Sequence, residues 1–356
     1  MASAGCNRYH IATAGHRDEC DGCHALRKTG VDLSSDNEVS AADAPQPRRV
    51  KERRKGVSIQ HRLEYVGVRV LGALIRRVPV AWSSAAVGWA LGRIMPRTSR
   101  HGRALEHMAL AMPELSDTER KRLVRRMWVN MGRTSAEAFL IDRLIDDPSR
   151  VSLPADFAHY EALAREGAIA ATAHLGNWEI AGILPRRSRL QFAGVYQALH
   201  NPLVEDYLKA MRAPAYPAGL YSKGASLGHT LVRLAREGVG IGLVADFREL
   251  RGIPVTFFGK EAYATPLPAM LARLSGRPLI AGAIIRTSGV HFEVVLREIP
   301  VAVTDDRDAD ILAATQTLHD AFEEWIRRAP DQWMWSHRKW ARPRGAASQP
   351  ATAPQP

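Results

Sequence analysis

Cysteine is nearly absent from this chain: three in 356 residues, Cys6, Cys20 and Cys23, all near the N-terminus. The part expected to fold therefore offers neither disulfides nor thiol chemistry, which suits a reducing compartment. Long apolar runs are missing too. The first 60 residues hold no stretch of the length a secretory signal requires. The longest uncharged run, residues 78–92, falls short of the ~20 residues a spanning helix needs. Nothing matches a phosphate-binding P-loop, and no cluster in the folded part has metal-ligand spacing. Aromatic and basic residues are not interleaved as a single-strand nucleic-acid binder requires, one C-terminal cluster apart. No metal, cofactor or nucleic-acid partner is expected.

What is present is an ordinary globular share of hydrophobic residues, 46%. The length suffices for one large core or two smaller ones. A net charge of +12 and a pI near 10.0 point to anionic partners such as a membrane surface or acidic substrates and carriers. Residues 1–59 read as a disordered tail ending in the basic run Arg48-Arg-Val-Lys-Glu-Arg-Arg-Lys55. Within it, Cys20-Asp-Gly-Cys23-His24 spells a haem-attachment pattern, and Cys6, Cys20, Cys23 and His24 make a set for zinc. The tail offers haem neither a pocket nor a second axial ligand, and an unstructured tail is the preferred reading. Residues 60–150 read as helical. Residues 65–95 are apolar but interrupted by Arg69, Arg76, Arg77 and Arg93, with Trp82 and Trp89 suited to an interface. They read as a segment lying on a membrane or re-entrant, with a pair of ordinary core helices as the alternative. Further on, Ser116-Asp-Thr-Glu119 carries a capping-box pattern.

From residue 150 the pattern alternates. Strand-like runs at 168–173, 190–196, 239–245, 278–285 and 291–296 are separated or followed by helical stretches at 179–184, 202–212, 226–236, 266–275 and 307–328. Such alternation predicts an α/β core over 151–342 with a largely parallel sheet flanked by helices. The last two runs, joined by Thr287-Ser-Gly-Val290, read as a hairpin, which makes the sheet mixed. Residues 343–356 read as a second disordered tail.

The candidate chemistry centres on His174-Leu-Gly-Asn-Trp-Glu179. Residues five apart lie about 140° apart around a continuous helix, so base and carboxylate meet only if the chain turns between them. Gly176-Asn177 supplies turn and cap chemistry there. His174 is thus expected to end a strand and Glu179 to open a helix, the carboxylate holding the imidazole as base and orienter. Asp246 follows the 239–245 strand, which brings a second ionisable group to the same rim of the sheet. Arg212 ends a helix starting at Asn201-Pro202 and fits either the helix dipole or a grip on phosphate or carboxylate. Gly224-Ala-Ser226-Leu-Gly228 matches a serine-hydrolase elbow but lacks a strong preceding strand, and Ser226 reads more simply as a helix cap.

Together these residues resemble the late acyltransferases of lipid A biosynthesis, a branch of the lysophospholipid acyltransferase superfamily, over roughly residues 60–342. The resemblance is carried by the H-x4-E box at His174 and Glu179, then Tyr196, Asn201-Pro-Leu203, Arg212, Asp246 and Val255-Thr-Phe-Phe-Gly259. It ends with Leu271-Ala-Arg-Leu-Ser-Gly276 and the closing Pro330-Asp-Gln-Trp-Met-Trp-Ser-His-Arg-Lys-Trp340. It implies a glycerolipid-acyltransferase-like fold and an enzyme on the cytoplasmic face of the inner membrane. Such an enzyme moves a fatty acyl chain from acyl carrier protein to a hydroxyl of a lipid A precursor. His174 and Glu179 are then the expected catalytic pair. Arg212, Asp246, Asn177, Tyr196 and Asn201 are the expected substrate-binding residues. Asp246 would position a sugar hydroxyl or pair with Arg212, backbone amides around residues 175–178 would hold the oxyanion, and residues 255–259 would wall the acyl groove. Trp333, Trp335 and Trp340 fit a headgroup-level patch or a buried C-terminal cap. The sequence departs from the family at Gln197-Ala198, at Met211 and at Phe247, which bears on acceptor and chain length. Rival readings are other glycerolipid or glycolipid acyltransferases of the superfamily, a Ser226 hydrolase, and a catalytically idle membrane-binding protein.

Overall fold

The computed structural model describes residues 57–340 apart from Asp146, Ala225 and Ser226. The cysteine-bearing tail, the 48–55 basic run, Ser226 and the 343–356 tail lie outside the described residues.

Five helices come first: α1 (Ile59–Arg76), α2 (Val80–Ile94), α3 (Ser99–Ala111), α4 (Asp117–Glu137) and α5 (Ile141–Ile145). The predicted capping box starts α4: the Ser116 hydroxyl accepts from the Glu119 amide and the Glu119 carboxylate accepts from the Ser116 amide. Helices α2 and α4 pack so closely that a Cβ on Gly132 would lie 2.6 Å from the Val87 carbonyl oxygen, and one on Gly88 2.9 Å from that of Val129. With that face of α2 committed to α4, Trp82 (74% exposed) and Trp89 (63%) stand outward. On α1 the residues Ile59, Leu63, Val66, Val70 and Leu74 are exposed, and their three- and four-residue spacing aligns them in one apolar stripe. Among the described residues, no helix is long and apolar enough to cross a membrane.

The α/β part follows as β1 (Val151–Ser152), α6 (Phe157–Arg165), β2 (Ile169–Gly176), α7 (Ile183–Arg187), β3 (Phe192–Tyr196), α8 (Pro202–Arg212), β4 (Leu220–Ser222), α9 (Leu227–Arg236) and β5 (Gly240–Val244). It continues with β6 (Ile253–Phe257), β7 (Lys260–Ala264), α10 (Leu267–Ser275), β8 (Leu279–Ser288), β9 (His291–Ile299) and α11 (Arg307–Arg328). Seven strands form one sheet in the order β1-β9-β8-β2-β5-β3-β4. Strands β8, β2, β5, β3 and β4 run parallel, and β9 pairs with β8 antiparallel through the expected hairpin. The fold is the mixed, largely parallel α/β architecture that the alternation predicted.

One face of the sheet, carrying Ile169, Ala171, Ala173, Ile241, Leu243, Leu279 and Ala281, is buried in the main core with α9, α10 and α11. The segment after α11 runs back along the end of β2: Leu175 bridges to Trp333, and the Met334 amide donates to the His174 carbonyl (3.3 Å). Trp333, Trp335 and Lys339 are completely buried, so of the two readings of this tryptophan cluster the buried cap holds. Strands β6 and β7 form a separate two-stranded sheet. Val255 and Phe257 belong to the main core, and Val255, Thr256 and Gly259 line an open recess between this hairpin and α11.

Candidate active site

Strand β2 runs three residues beyond its expected end, because the C-terminal segment supplies partners for its last residues. The turn then falls at Gly176, whose φ of +62° places it in the left-handed region. A Cβ there would sit 1.8 Å from the Ile284 carbonyl oxygen, so only glycine fits. Asn177 caps the short 3₁₀ helix Trp178–Gly182, its side-chain oxygen accepting from the Glu179 amide (3.1 Å). The Asn177 side-chain nitrogen donates to Glu137 (2.6 Å), a fully buried carboxylate that also accepts from Ser84 (2.6 Å) and from both terminal nitrogens of Arg286 (2.7 and 2.8 Å). This hub ties α2, α4 and β8 to the turn that separates His174 from Glu179.

The imidazole of His174 is held by Asp246. Nδ1 lies 2.7 Å from Asp246 Oδ1, and the His174 amide donates to Oδ2 (2.9 Å). The indole of Trp333 donates to that same Oδ2 (2.7 Å). Complete burial of Asp246 works against its charge, but His174 and the Trp333 donor outweigh it and bring the carboxyl down to about 2. An ionised carboxylate only accepts, so Nδ1 carries the hydrogen of that contact and Nε2 is the nitrogen Asp246 does not engage. The His174 side chain is 17% exposed.

Glu179 does not hold His174, contrary to expectation. Its two oxygens take the fork of Arg212, from Nε at 2.8 Å and Nη2 at 2.6 Å. The physical reason is the 3₁₀ helix: Glu179 lies in its first turn and faces the C-terminal end of α8, where the arginine's planar guanidinium matches a carboxylate with two bonds. Arg212 is raised by this pairing against the opposing effect of burial, and the buried Tyr216 hydroxyl, pushed up first by burial and then by the Glu179 charge, reaches about 12. Asp246 correspondingly pairs with His174 rather than with Arg212.

Other expected binding residues have structural partners. Asn177 is completely buried in the hub. Asn201 caps α8 by accepting from the Leu203 and Val204 amides (3.0 and 3.4 Å), and donates to the His61 carbonyl and Glu64 of α1 (2.9 and 2.8 Å). Tyr196 donates to Glu205 (2.7 Å), which also lines a small recess with Tyr196 and Arg212. Of the amides expected to hold an oxyanion, Gly176 donates to the Gln332 carbonyl (3.2 Å) and Asn177 to that of Ile284 (2.9 Å), so neither is available.

The sheet face opposite the main core is hollow. Gly242 and Ala170 stand level on β5 and β2, and such small side chains leave space beneath α6 and α7, whereas the space over Gly194 is taken by Tyr216 and Leu220. A cavity of about 120 Å³ lies there, lined by Ala170, Thr172, Gly242, Val244, Phe192 and Tyr216 among others. Trp178 also lines it, and meets the His174 ring edge-on at 5.0 Å. The chamber and the held imidazole thus share Trp178, which lines the one and meets the other.

The sequence pattern of the family described as bacterial lipid A biosynthesis acyltransferase matches residues 52–342. The chain belongs to this family. A lipid A biosynthesis lauroyltransferase of Escherichia coli (strain K12) is 26% identical over 298 residues, covering 80% of this chain and 94% of that protein.

Three residues around His174 and Asp246 escaped sequence reading as their partners. Trp333, expected in a headgroup patch or a buried cap, is part of the cap and from there donates to Asp246. Phe247 lies flat on His174, ring centroids 3.7 Å apart and planes within 10°, and His337 lies flat on the far side of Phe247 at 3.7 Å and 4°. The position of Phe247 directly after a strand-end aspartate was the available signal. For Trp333 and His337 the signal was the dense run of aromatics at 333–340.

Proposed function

We propose that this acyltransferase moves a fatty acyl chain from acyl carrier protein to a hydroxyl of a lipid A precursor, at the cytoplasmic face of the inner membrane. The observation that carries the reading is the Asp246–His174 pair, which engages Nδ1 and leaves Nε2 to a substrate, next to the Trp178 that lines an apolar chamber, with no nucleophilic side chain required. His174 takes the proton of the acceptor hydroxyl at Nε2, and the oxygen attacks the thioester carbonyl. The carbon–sulfur bond then breaks, and the imidazolium returns the proton to the departing thiolate. Asp246 fixes the tautomer and stabilises the imidazolium without itself taking the proton. The acyl chain lies in the chamber under α6 and α7.

Glu179 acts on the acceptor side. Its carboxylate orients Arg212, whose Nη1 edge is turned to an acceptor phosphate. The helices of residues 60–150 form the lipid-contacting part and residues 151–342 the catalytic core. Support comes from the apolar stripe of α1 and from Trp82 and Trp89, with Arg93 stacked over the Trp89 ring at 5.1 Å; such helices lie in the interface with their apolar faces inward.

The test is transfer from acyl carrier protein to a phosphorylated glucosamine lipid by the purified, vesicle-bound protein. His174→Ala is expected to abolish it while leaving the fold intact. Activity retained in that variant would remove the mechanism.

A further inference from the structure

We propose that Phe247 and His337 are positioning residues that fix the plane of the His174 ring and so aim Nε2. This rests on the reading of His174 as the base. The bond from Nδ1 to Asp246 fixes one atom of the imidazole, yet the ring still has freedom to tilt about that anchor. Phe247 removes it by covering one whole face in parallel contact, while Trp178 meets the ring at 64°. Phe247 is in turn pressed from behind by His337, so the three rings form one stack.

Two further observations favour a role for the stack over incidental packing. The carboxylate of Asp246 and the ring of Phe247 come from adjacent residues, so a single backbone placement sets both the anchor and the face of the imidazole. The Nδ1 atom of His337 is buried and has no hydrogen-bond partner among the described residues. Buried polar atoms nearly always find partners, and a histidine left in this state serves through its flat face. His337 sits on the segment whose Trp333 donates to Asp246, with Met334 bonded to the His174 backbone. One strap therefore supports both the carboxylate and the stack.

The consequence is for turnover rather than for substrate affinity. A misplacement of about 1 Å at a reacting atom costs up to 10²-fold in rate. Phe247→Leu keeps apolar bulk but loses the flat face, and is expected to lower kcat by roughly 10–100-fold with KM for donor and acceptor within about two-fold. His337→Ala is expected to lower kcat by about 10-fold, and His337→Phe, which restores a flat ring, to recover to within about three-fold of the parent.

A second readout is independent of transfer. In protein labelled with carbon-13 at histidine, the His174 ring protons lie over the Phe247 face and resonate upfield. They move downfield in Phe247→Leu and stay in place in His337→Phe. Should Phe247→Leu fail to fold, His337→Ala carries the same pair of measurements. Unmoved resonances, or a loss carried by KM with kcat unchanged, would overturn the proposal. Because the resonances are read without substrate, their loss of shift supports the stack even if His174→Ala proves active, and that activity would refute the base alone.

Discussion

Replacing Asp246 by asparagine separates the charge of this carboxylate from its shape. Oδ2 accepts from two fixed donors, the His174 amide (2.9 Å) and the Trp333 indole (2.7 Å). Neither can become an acceptor, so the asparagine oxygen must occupy that position. The NH2 group then faces His174 Nδ1 at the present 2.7 Å contact, and two donors cannot share it. The imidazole responds by moving its hydrogen to Nε2 and accepting at Nδ1. The base is left in the wrong tautomer, with no lone pair toward the acceptor. The loss expected is about 10³–10⁴ in kcat, the size of the effect when a triad aspartate becomes asparagine in a serine protease. KM should move little, because no substrate contact is removed.

The same variant makes a stability prediction of definite sign. Folding lowers the Asp246 carboxyl from 3.8 to about 2, so its contribution is present above the unfolded value and disappears as pH falls through the folded one. That amounts to about 2 kcal/mol lost between pH 4 and pH 2. Urea midpoints across that window should fall less steeply in Asp246→Asn than in the parent. The assay is turnover with acyl carrier protein donor, together with nitrogen-15 shifts of the His174 ring to report the tautomer. Activity within ten-fold of the parent, or an unchanged tautomer, would refute the reasoning.

Glu137→Gln should leave Arg286 without its buried counter-charge and cost about 3 kcal/mol. Differential scanning calorimetry would show a Tm lower by roughly 5 °C for a folded part this large. Gly242→Val adds bulk to the chamber floor where a first carbon meets only an ordinary 3.4 Å contact with Tyr216, so the protein should fold and shift its preference to shorter acyl chains in a graded donor series. Trp82→Ala and Trp89→Ala should each weaken partition to anionic vesicles by about ten-fold or more, read by co-sedimentation.

Much of the fold was legible because its signals are local. The capping box at Ser116, the Asn201-Pro202 start of α8 and the hairpin at 278–296 depend on residues within one turn of each other. His174 itself was legible as the base of the proposed mechanism, since it follows an apolar run and precedes turn chemistry. Its partner was not. A carboxylate five residues away is a natural guess when strand and helix meet, but the choice between Glu179 and Asp246 depends on which strands are neighbours. Pairing of β2 with β5 brings a residue 72 positions downstream to Nδ1, and no local pattern encodes that register. Asn177 and Asn201 were misjudged for the opposite reason: turn and cap residues match the family motif whether they face a ligand or only the backbone. The stack of Phe247 and His337 joins residues 90 apart, and the apolar hollow depends on Gly242 and Ala170 falling side by side, visible only once the sheet is aligned.

The strap after α11 sets an order of events during synthesis. Trp333 and His337 leave the ribosome after every strand of the sheet, yet Asp246 lacks its indole donor and Phe247 its support until they dock. The last supports of the site are therefore placed only after the sheet, and a chain cut just after α11 should lose the Trp333 donor, the His337 face and two completely buried tryptophans of the core at once.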